Sequence, residues 1–234
     1  MKMWPFRRRA SSSIHKVTVN NRTARFVVTN PDDLIQAHFL RGEFAEGPFL
    51  IDLLNYMPKD AAVLDIGANI GNHTVWFAAF AGASRVVPFE LNPEAIDLLR
   101  KNIALNNLTN VDLSFLGVGC GEGSSTVVAA TSYKDNLGAT VFKAAPVDSD
   151  RPSFEIDSVD HMLPDECPTF VKIDVEGMEI SVLRGMQSLI ARCRPMIYVE
   201  IWYLSLTSSL RFLDWLGNNG YRIERQHGPN LLCL

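Results

Sequence analysis

The sequence predicts an α/β fold: a mostly parallel, Rossmann-like sheet of seven strands, helices on both faces, and an antiparallel terminal pair. Three observations predict it. The apolar run Val63-Leu-Asp-Ile66 ends in a turn with Gly67 and Gly71, after which a helix begins. From residue 62 onward, strand-like and helix-like patterns alternate, as a parallel sheet with crossover helices requires. The chain closes on two short strand patterns, 221–225 and 230–234, around a His227-Gly-Pro turn.

The elements follow in order. Residues 16–29 alternate, with Val17, Val19, Ala24, Phe26 and Val28 on one face and the turn-tolerant pair Asn20-Asn21 between, so they read as a hairpin. Pro31-Asp32-Asp33 starts a helical stretch with Ile35 and Phe39, and an apolar run from Pro48 to Tyr56 follows Gly42. We take residues 1–60 as a hairpin and helical extension, packed as a lid or substrate platform, and residues 61–234 as the main domain.

Residues 62–66 form a short apolar run bounded by turn residues, the pattern of a strand covered on both faces. Residues 72–81 then read as a buried helix carrying Val75, Trp76, Phe77 and Phe80. Residues 85–90 are the second strand of the sheet, ending at Glu90. Asn92-Pro93 supplies a cap and a first-turn proline for a helix with Ile96, Leu99 and Ile103 on one stripe. Residues 111–118 are expected to be the third strand.

Residues 119–168 break this rhythm with short strand-like pieces at 126–129, 139–142 and 154–156, an insertion of the kind that shapes a substrate site. Regularity returns with a strand at 169–174 and a helix over 178–192 stopped by Pro195. A strand at 195–202 and a helix at 207–219, capped by Gly220, lead to the terminal pair.

Composition places bounds on function. With 234 residues, 47% hydrophobic and 21% charged, the chain is an ordinary globular one. A net charge of −4 gives no general affinity for nucleic acid. The one local bias is Arg7-Arg8-Arg9 after Met3, Trp4 and Phe6, read as a solvated terminus rather than a lipid or partner contact. There is no apolar run of about 20 residues, and no apolar core follows the basic N-terminal residues. Cys120, Cys167, Cys193 and Cys233 are scattered without a C-x-x-C pair. That spacing predicts reduced thiols in a cytoplasmic protein, without disulfide or zinc.

Two constellations carry chemistry. In the first, Asp65, Gly67, Ala68, Asn69 and Gly71 form a strand-to-helix turn whose free N–H groups and helix dipole suit a carboxylate or a pyrophosphate. Glu90, 23 residues past Gly67, stands where a doubly wound fold places an acid that accepts both ribose hydroxyls. Asn92 follows it. The turn lacks the three glycines of a dinucleotide fingerprint, and the antiparallel ending does not suit a dinucleotide dehydrogenase. S-adenosylmethionine is therefore the expected cofactor, ahead of NAD, in a class I methyltransferase-like fold.

The second constellation is Phe170-Val-Lys-Ile-Asp-Val-Glu-Gly-Met-Glu179. Lys172, Asp174, Glu176 and Glu179 should face the same crevice as Gly67 and Glu90, since ligands of open α/β sheets sit beyond the carboxyl ends of the strands. Glu200 reaches that edge too. Asp174 is the first candidate for a general base toward an acceptor hydroxyl and Glu176 the second, with Lys172 beside them. Asp174 and Glu200 with one more oxygen ligand would also suffice for Mg²⁺, a reading not favoured because the sequence pins no third ligand. Glu179 reads equally as a helix-start acid. His73 reads as a helix residue rather than a base, and His161 as either exposed or substrate-facing.

These pieces resemble a known family. Leu64-Asp-Ile-Gly-Ala-Asn-Ile-Gly71, Lys172-Ile-Asp-Val-Glu-Gly177 with Glu179, and Val182-Leu-Arg-Gly185 are similar to motifs of the FkbM-type methyltransferases, over about residues 62–200. Glu43 to Pro48 (EFAEGP) is similar to a segment preceding the first strand there, and Asn136-Leu-Gly138 to a short Asn/Gly loop. The resemblance implies S-adenosylmethionine as cofactor and a hydroxyl on a sugar, glycolipid or other small molecule as acceptor. Two other classes stand beside this one. A nucleic-acid methyltransferase would show an Asn/Asp-Pro-Pro-aromatic run where this chain has Asp174-Val-Glu-Gly. A non-catalytic cofactor-binding module would have no need of Lys172, Asp174 and Glu176.

Overall fold

The computed structural model describes residues 12–133, 136–145, 151–201 and 206–234. Arg7-Arg8-Arg9 with Met3, Trp4 and Phe6, and the end of the 195–202 strand at Trp202, lie outside the described residues. Strands β1 (Ser13–Val19) and β2 (Arg22–Val28) form the expected hairpin, with Asn20 and Asn21 both left-handed at the turn. Helix α1 (Leu34–Leu40) starts at Asp33, whose carboxylate accepts from the N–H groups of Ile35 and Gln36. Helix α2 (Gly47–Leu53) follows, entered through a left-handed Glu46.

The sheet strands and their helices come next: β3 (Ala62–Ile66), α3 (Asn72–Ala79), β4 (Arg85–Phe89) and α4 (Pro93–Leu105). The insertion supplies β5 (Val118–Cys120), β6 (Ser125–Tyr133), β7 (Asn136–Ala144), β8 (Ser153–Asp157) and α5 (Val159–Met162). Then follow β9 (Phe170–Ile173), α6 (Glu179–Arg184), α7 (Gln187–Cys193), β10 (Met196–Glu200), α8 (Leu206–Asn219), β11 (Ile223–His227) and β12 (Asn230–Cys233).

The main sheet has the order β11-β12-β10-β9-β3-β4. Its β4, β3, β9 and β10 run parallel, and β12 lies antiparallel between β10 and β11. The antiparallel ending therefore matches the sequence, but the main sheet has six strands among the described residues, not seven. The expected strand at 111–118 touches β4 only at two isolated bridges, Val86 with Val111 and Glu90 with Leu116. Between them Asp112 folds the chain into a turn, accepting from the Ser114 N–H while also pairing with Arg85 at 2.7 Å. A side chain competing for the local backbone takes the place of the ladder.

The expected helix over 178–192 is likewise two helices. A Cβ on Gly185 would lie 1.8 Å from the Gly121 carbonyl oxygen, so the chain passes there against another backbone. Asp160 then caps the new start at α7, its carboxylate accepting from Ser188 and Leu189 at 2.8 Å.

Each face of the sheet carries its own core. Val63, Phe170, Tyr198 and Leu232 pack with α3, α4, the hairpin residues Val17 and Phe26, and Phe39 of α1. Leu64, Val171, Ile173, Ile197 and Val199 pack with α6, α7 and α8 on the other side. Alternation along each strand sends successive side chains to opposite cores. The insertion forms a four-stranded sheet, β5-β8-β6-β7, beside the main one.

Cys167 and Cys193 form a disulfide, with Cα atoms 5.4 Å apart, which overturns the expectation of four reduced thiols. The loop before β9 and the end of α7 meet there, and a separation of 26 residues leaves no local motif to read. Cys120 and Cys233 are free and buried. No helix among the described residues is long and apolar enough to cross a membrane.

Candidate active site

Register lays the foundation of the site. Across the parallel strands Asp65 stands opposite Lys172, and Lys172 opposite Tyr198, so all three point to one face of the sheet near its carboxyl edge. Lys172 is 2% exposed. Its Nζ donates to the Gly67 carbonyl at 2.6 Å and lies 3.4 Å from Asp65 and 3.3 Å from Asp174. Burial pulls the ammonium pKa down, but the Asp174 and Asp65 carboxylates outweigh it and hold it above the usual lysine range. The second Asp65 oxygen accepts from the Thr74 hydroxyl. Lys172 thus ties the two strand-end turns together from beneath.

The turns themselves are in backbone contact. Gly67 has φ +81°, and a Cβ there would fall 1.8 Å from the Asp174 carbonyl oxygen. Its glycine is required by the approach of the neighbouring strand's own backbone. Asn69 is left-handed, with its N–H donating to Glu90 Oε2 at 2.8 Å. Glu90 Oε1 accepts from Leu91 at 2.9 Å and Asn92 at 2.7 Å. Three of roughly four lone-pair positions on this carboxylate are therefore filled by the protein, leaving one on Oε2. The expectation that Glu90 accepts from both hydroxyls of a diol meets a carboxylate on which three positions are already filled. Burial pushes Glu90 up from the ordinary carboxylate value, and the three N–H donors oppose it.

A cavity of about 270 Å³ opens above these turns. It is lined by Gly67, Ala68, Asn69 and Glu90 from the turns after β3 and β4, and by Lys172, Asp174, Glu176 and Glu200 from β9, the turn after it and the end of β10. Asp65, Gly71 and Asn92, expected at the cofactor, do not line it. Asp65 is completely buried behind Lys172. Gly71 is the left-handed start of α3, and the Asn92 side chain caps α4 by accepting from Glu94. Near Glu90 the walls are apolar: Phe89, Leu91, Ile156, Phe142 and Met178, with Cys120. Burial pushes the Cys120 thiol up.

Within this lining, carboxylate oxygens of Asp174, Glu176 and Glu200 lie within 4.8 Å of one another. Glu176 is the third oxygen ligand that the sequence did not supply for Asp174 and Glu200. Burial, together with the charge of Asp174 close by, pushes Glu200 up to about 9. Glu176, held at φ +51° just past β9, is pushed to about 7 by burial and by Asp174 and Glu179. Glu179 itself accepts from the Gly177 N–H at 2.7 Å, closing the start of α6. It behaves as the helix-start acid. His161 is exposed and pairs with Asp157 at 2.6 Å.

One residue was missed. Glu46 lines the cavity and gathers partners from three elements. His73 Nε2 is 3.0 Å and the Tyr198 hydroxyl 2.8 Å from its Oε2, while Asn230 donates to Oε1. Burial raises its pKa, but these partners prevail and hold it at about 2, a fixed negative charge. The EFAEGP segment was the available signal, though it names no partner. His73 is, as read, a helix residue, and its ring serves Glu46. Asn72 completes the seam, exchanging two hydrogen bonds with the Ala45 backbone.

Two segments meet at the mouth. Leu34, Ile35 and His38 of α1 face Asn136, Leu137 and Gly138 of β7 across it. The second Asp33 oxygen accepts from the Leu137 N–H at 3.0 Å, joining the N-terminal segment to the insertion.

With this geometry in view, comparison with known proteins gives a consistent result. A family model described as the methyltransferase FkbM domain matches residues 65–223. The chain belongs to the FkbM methyltransferase family. Among curated proteins the chain is similar to the hexuronic acid methyltransferase AglP of Haloferax volcanii, 29% identical over 174 residues, covering 72% of this chain and 66% of that protein. A second relative is Methyltransferase 1 of Beauveria bassiana, 26% identical over 188 residues, covering 68% of this chain and 71% of that one. Among solved structures, the FkbM methyltransferase of Methylobacillus flagellatus is similar, with a TM-score of 0.54 and 22% identity over 76% of this chain and 44% of that one. The chain thus spans under half of that FkbM structure and about two thirds of the curated relatives. The likeness to the solved structure shows that the α/β fold is the one this family uses.

Proposed function

We propose that this protein is an S-adenosylmethionine-dependent O-methyltransferase whose acceptor is a hydroxyl on a sugar or other small polyhydroxylated molecule. One observation carries the reading: a single cavity joins the Glu90 turn to a group of carboxylates that can take a proton. Family membership supports the reaction class, and a sugar-directed relative supports the kind of acceptor. The acidic character of that relative's substrate is not carried over.

The residues present fit the cofactor. Asn69 Oδ1 is buried and without a hydrogen-bond partner among the described residues, which suits an ammonium donor. The remaining lone pair of Glu90 suits one ribose hydroxyl, and the apolar walls beside it suit a base. When bound, S-adenosylmethionine supplies an activated methyl group.

The chain's own residues do the rest. Glu176 takes the acceptor's proton, because a base that titrates at about 7 balances availability against strength. This reading places Glu176 ahead of Asp174, whose carboxylate is engaged by Lys172. Asp174 and Lys172 position the turn that carries Glu176. Holding oxygen and methyl carbon in line supplies much of the remaining acceleration, up to roughly 7–11 kcal/mol in well-oriented systems. The carboxylates of Asp174, Glu176 and Glu200 have the spacing of a divalent-cation site, and no step of this reading is routed through a metal.

Calorimetry with S-adenosylmethionine and with NAD tests the cofactor. Binding of the first and not the second is expected, and the reverse would reject the reading. Mass spectrometry of an extract incubated with labelled cofactor then looks for acceptors that gain one methyl group.

A further inference from the structure

Acceptor charge is the next question, and it rests on the methyltransferase reading of the same cavity. We infer that the acceptor carries no negative charge near its reacting hydroxyl and that an amine-bearing polyol fits best, with carboxylated sugars rejected.

Four carboxylates besides Glu90 line the cavity: Glu46 from the segment before α2, Asp174 and Glu176 after β9, and Glu200 at the end of β10. The one lysine that lines the cavity among the described residues is already engaged. Lys172 is buried and divided among Gly67, Asp65 and Asp174. His73 is held by Glu46, and His38 lies 3.6 Å from Glu43. No arginine lines the cavity among the described residues. A carboxylate entering here finds none of the forked or point-charge donors by which proteins bind such groups. It meets like charges instead, in a partly desolvated space where they repel strongly.

The carboxylate oxygens of Asp174, Glu176 and Glu200, within 4.8 Å of one another, already crowd like groups together. An ammonium group would relieve that repulsion and receive hydrogen bonds from carboxylate oxygens. Even with one sulfonium charge included, the acids remain in excess over the cations in this lining.

Three methyl glycosides test the inference, those of glucose, 6-amino-6-deoxyglucose and glucuronic acid, which differ only at carbon 6. Their affinities for the protein loaded with S-adenosylhomocysteine are measured by saturation-transfer NMR, with chelator and again with added Mg²⁺. We expect the order amine, neutral, carboxylate, with about tenfold or more between the extremes, and a narrower gap in Glu46→Gln, which removes a fixed charge from the lining. Equal binding of the three, undetectable binding of all, a preference for the carboxylate, or carboxylate binding restored by Mg²⁺ would each overturn it. Calorimetry with S-adenosylhomocysteine keeps the two claims apart. Cofactor-product binding with no charge preference sinks only the acceptor inference, whereas no such binding sinks the parent reading.

Discussion

The Tyr198 hydroxyl donates to Glu46 Oε2 at 2.8 Å across 152 residues of sequence. That bond, with those from His73 and Asn230, fastens the segment before α2 to the centre of the main sheet. The N-terminal part of the chain thereby contributes a fixed charge to a cavity built mostly by later residues.

Glu46 should matter for acid stability. Its folded pKa, about 2, lies below the usual 4.5, so it stabilises the fold above about pH 4.5, and that contribution is lost as pH falls toward 2. The shift corresponds to roughly 2–3 kcal/mol after allowance for its partial exposure. Urea unfolding of Glu46→Gln should show that loss at pH 7 and a much smaller difference from the parent near pH 2. A difference independent of pH would assign the effect to packing.

Turnover should rise through about pH 7 as Glu176 loses its proton and becomes able to accept one. Glu176→Gln should slow turnover by about 10²–10⁴-fold while leaving S-adenosylhomocysteine affinity unchanged. A variant that keeps both its rate and its pH profile would remove Glu176 from the mechanism.

Glu90→Gln replaces an acceptor by a donor facing one of three N–H groups. Losing a charged hydrogen bond costs about 1.5–3 kcal/mol, so cofactor affinity should weaken about 10- to 100-fold by calorimetry. Unchanged affinity would show that Glu90 only braces the turn formed by Asn69 and Asn92.

Lys172→Met leaves Asp65 and Asp174 facing each other without their shared cation. Breaking a buried pair in this way costs about 3–5 kcal/mol, which thermal unfolding should reveal as a large drop in Tm. A variant as stable as the parent would show that water or protons replace the ammonium cheaply.

Removing the disulfide in Cys167→Ser/Cys193→Ser should lower stability by roughly 2–4 kcal/mol, the entropy of closing a loop of this size. Thiol labelling of the unfolded, unreduced parent checks the bond itself. Four labelled cysteines instead of two would mean that it does not form.

Local sequence determined a good deal of this protein. The glycine turn after β3, the acid closing β4, the Lys172-to-Glu179 segment and the antiparallel ending were all legible, because each is set by backbone preference and by the period of its own strand or helix. Only the tertiary structure decided the rest. It left one lone pair on Glu90, hid Asp65 and Lys172 beneath the turns, and gathered Asp174, Glu176 and Glu200 into one group. It also brought Glu46 to Tyr198, His73 and Asn230, joined Cys167 to Cys193, and divided one apolar helical stripe at Gly185. Each of these depends on which distant backbone a residue meets, and periodicity along the chain does not encode that meeting.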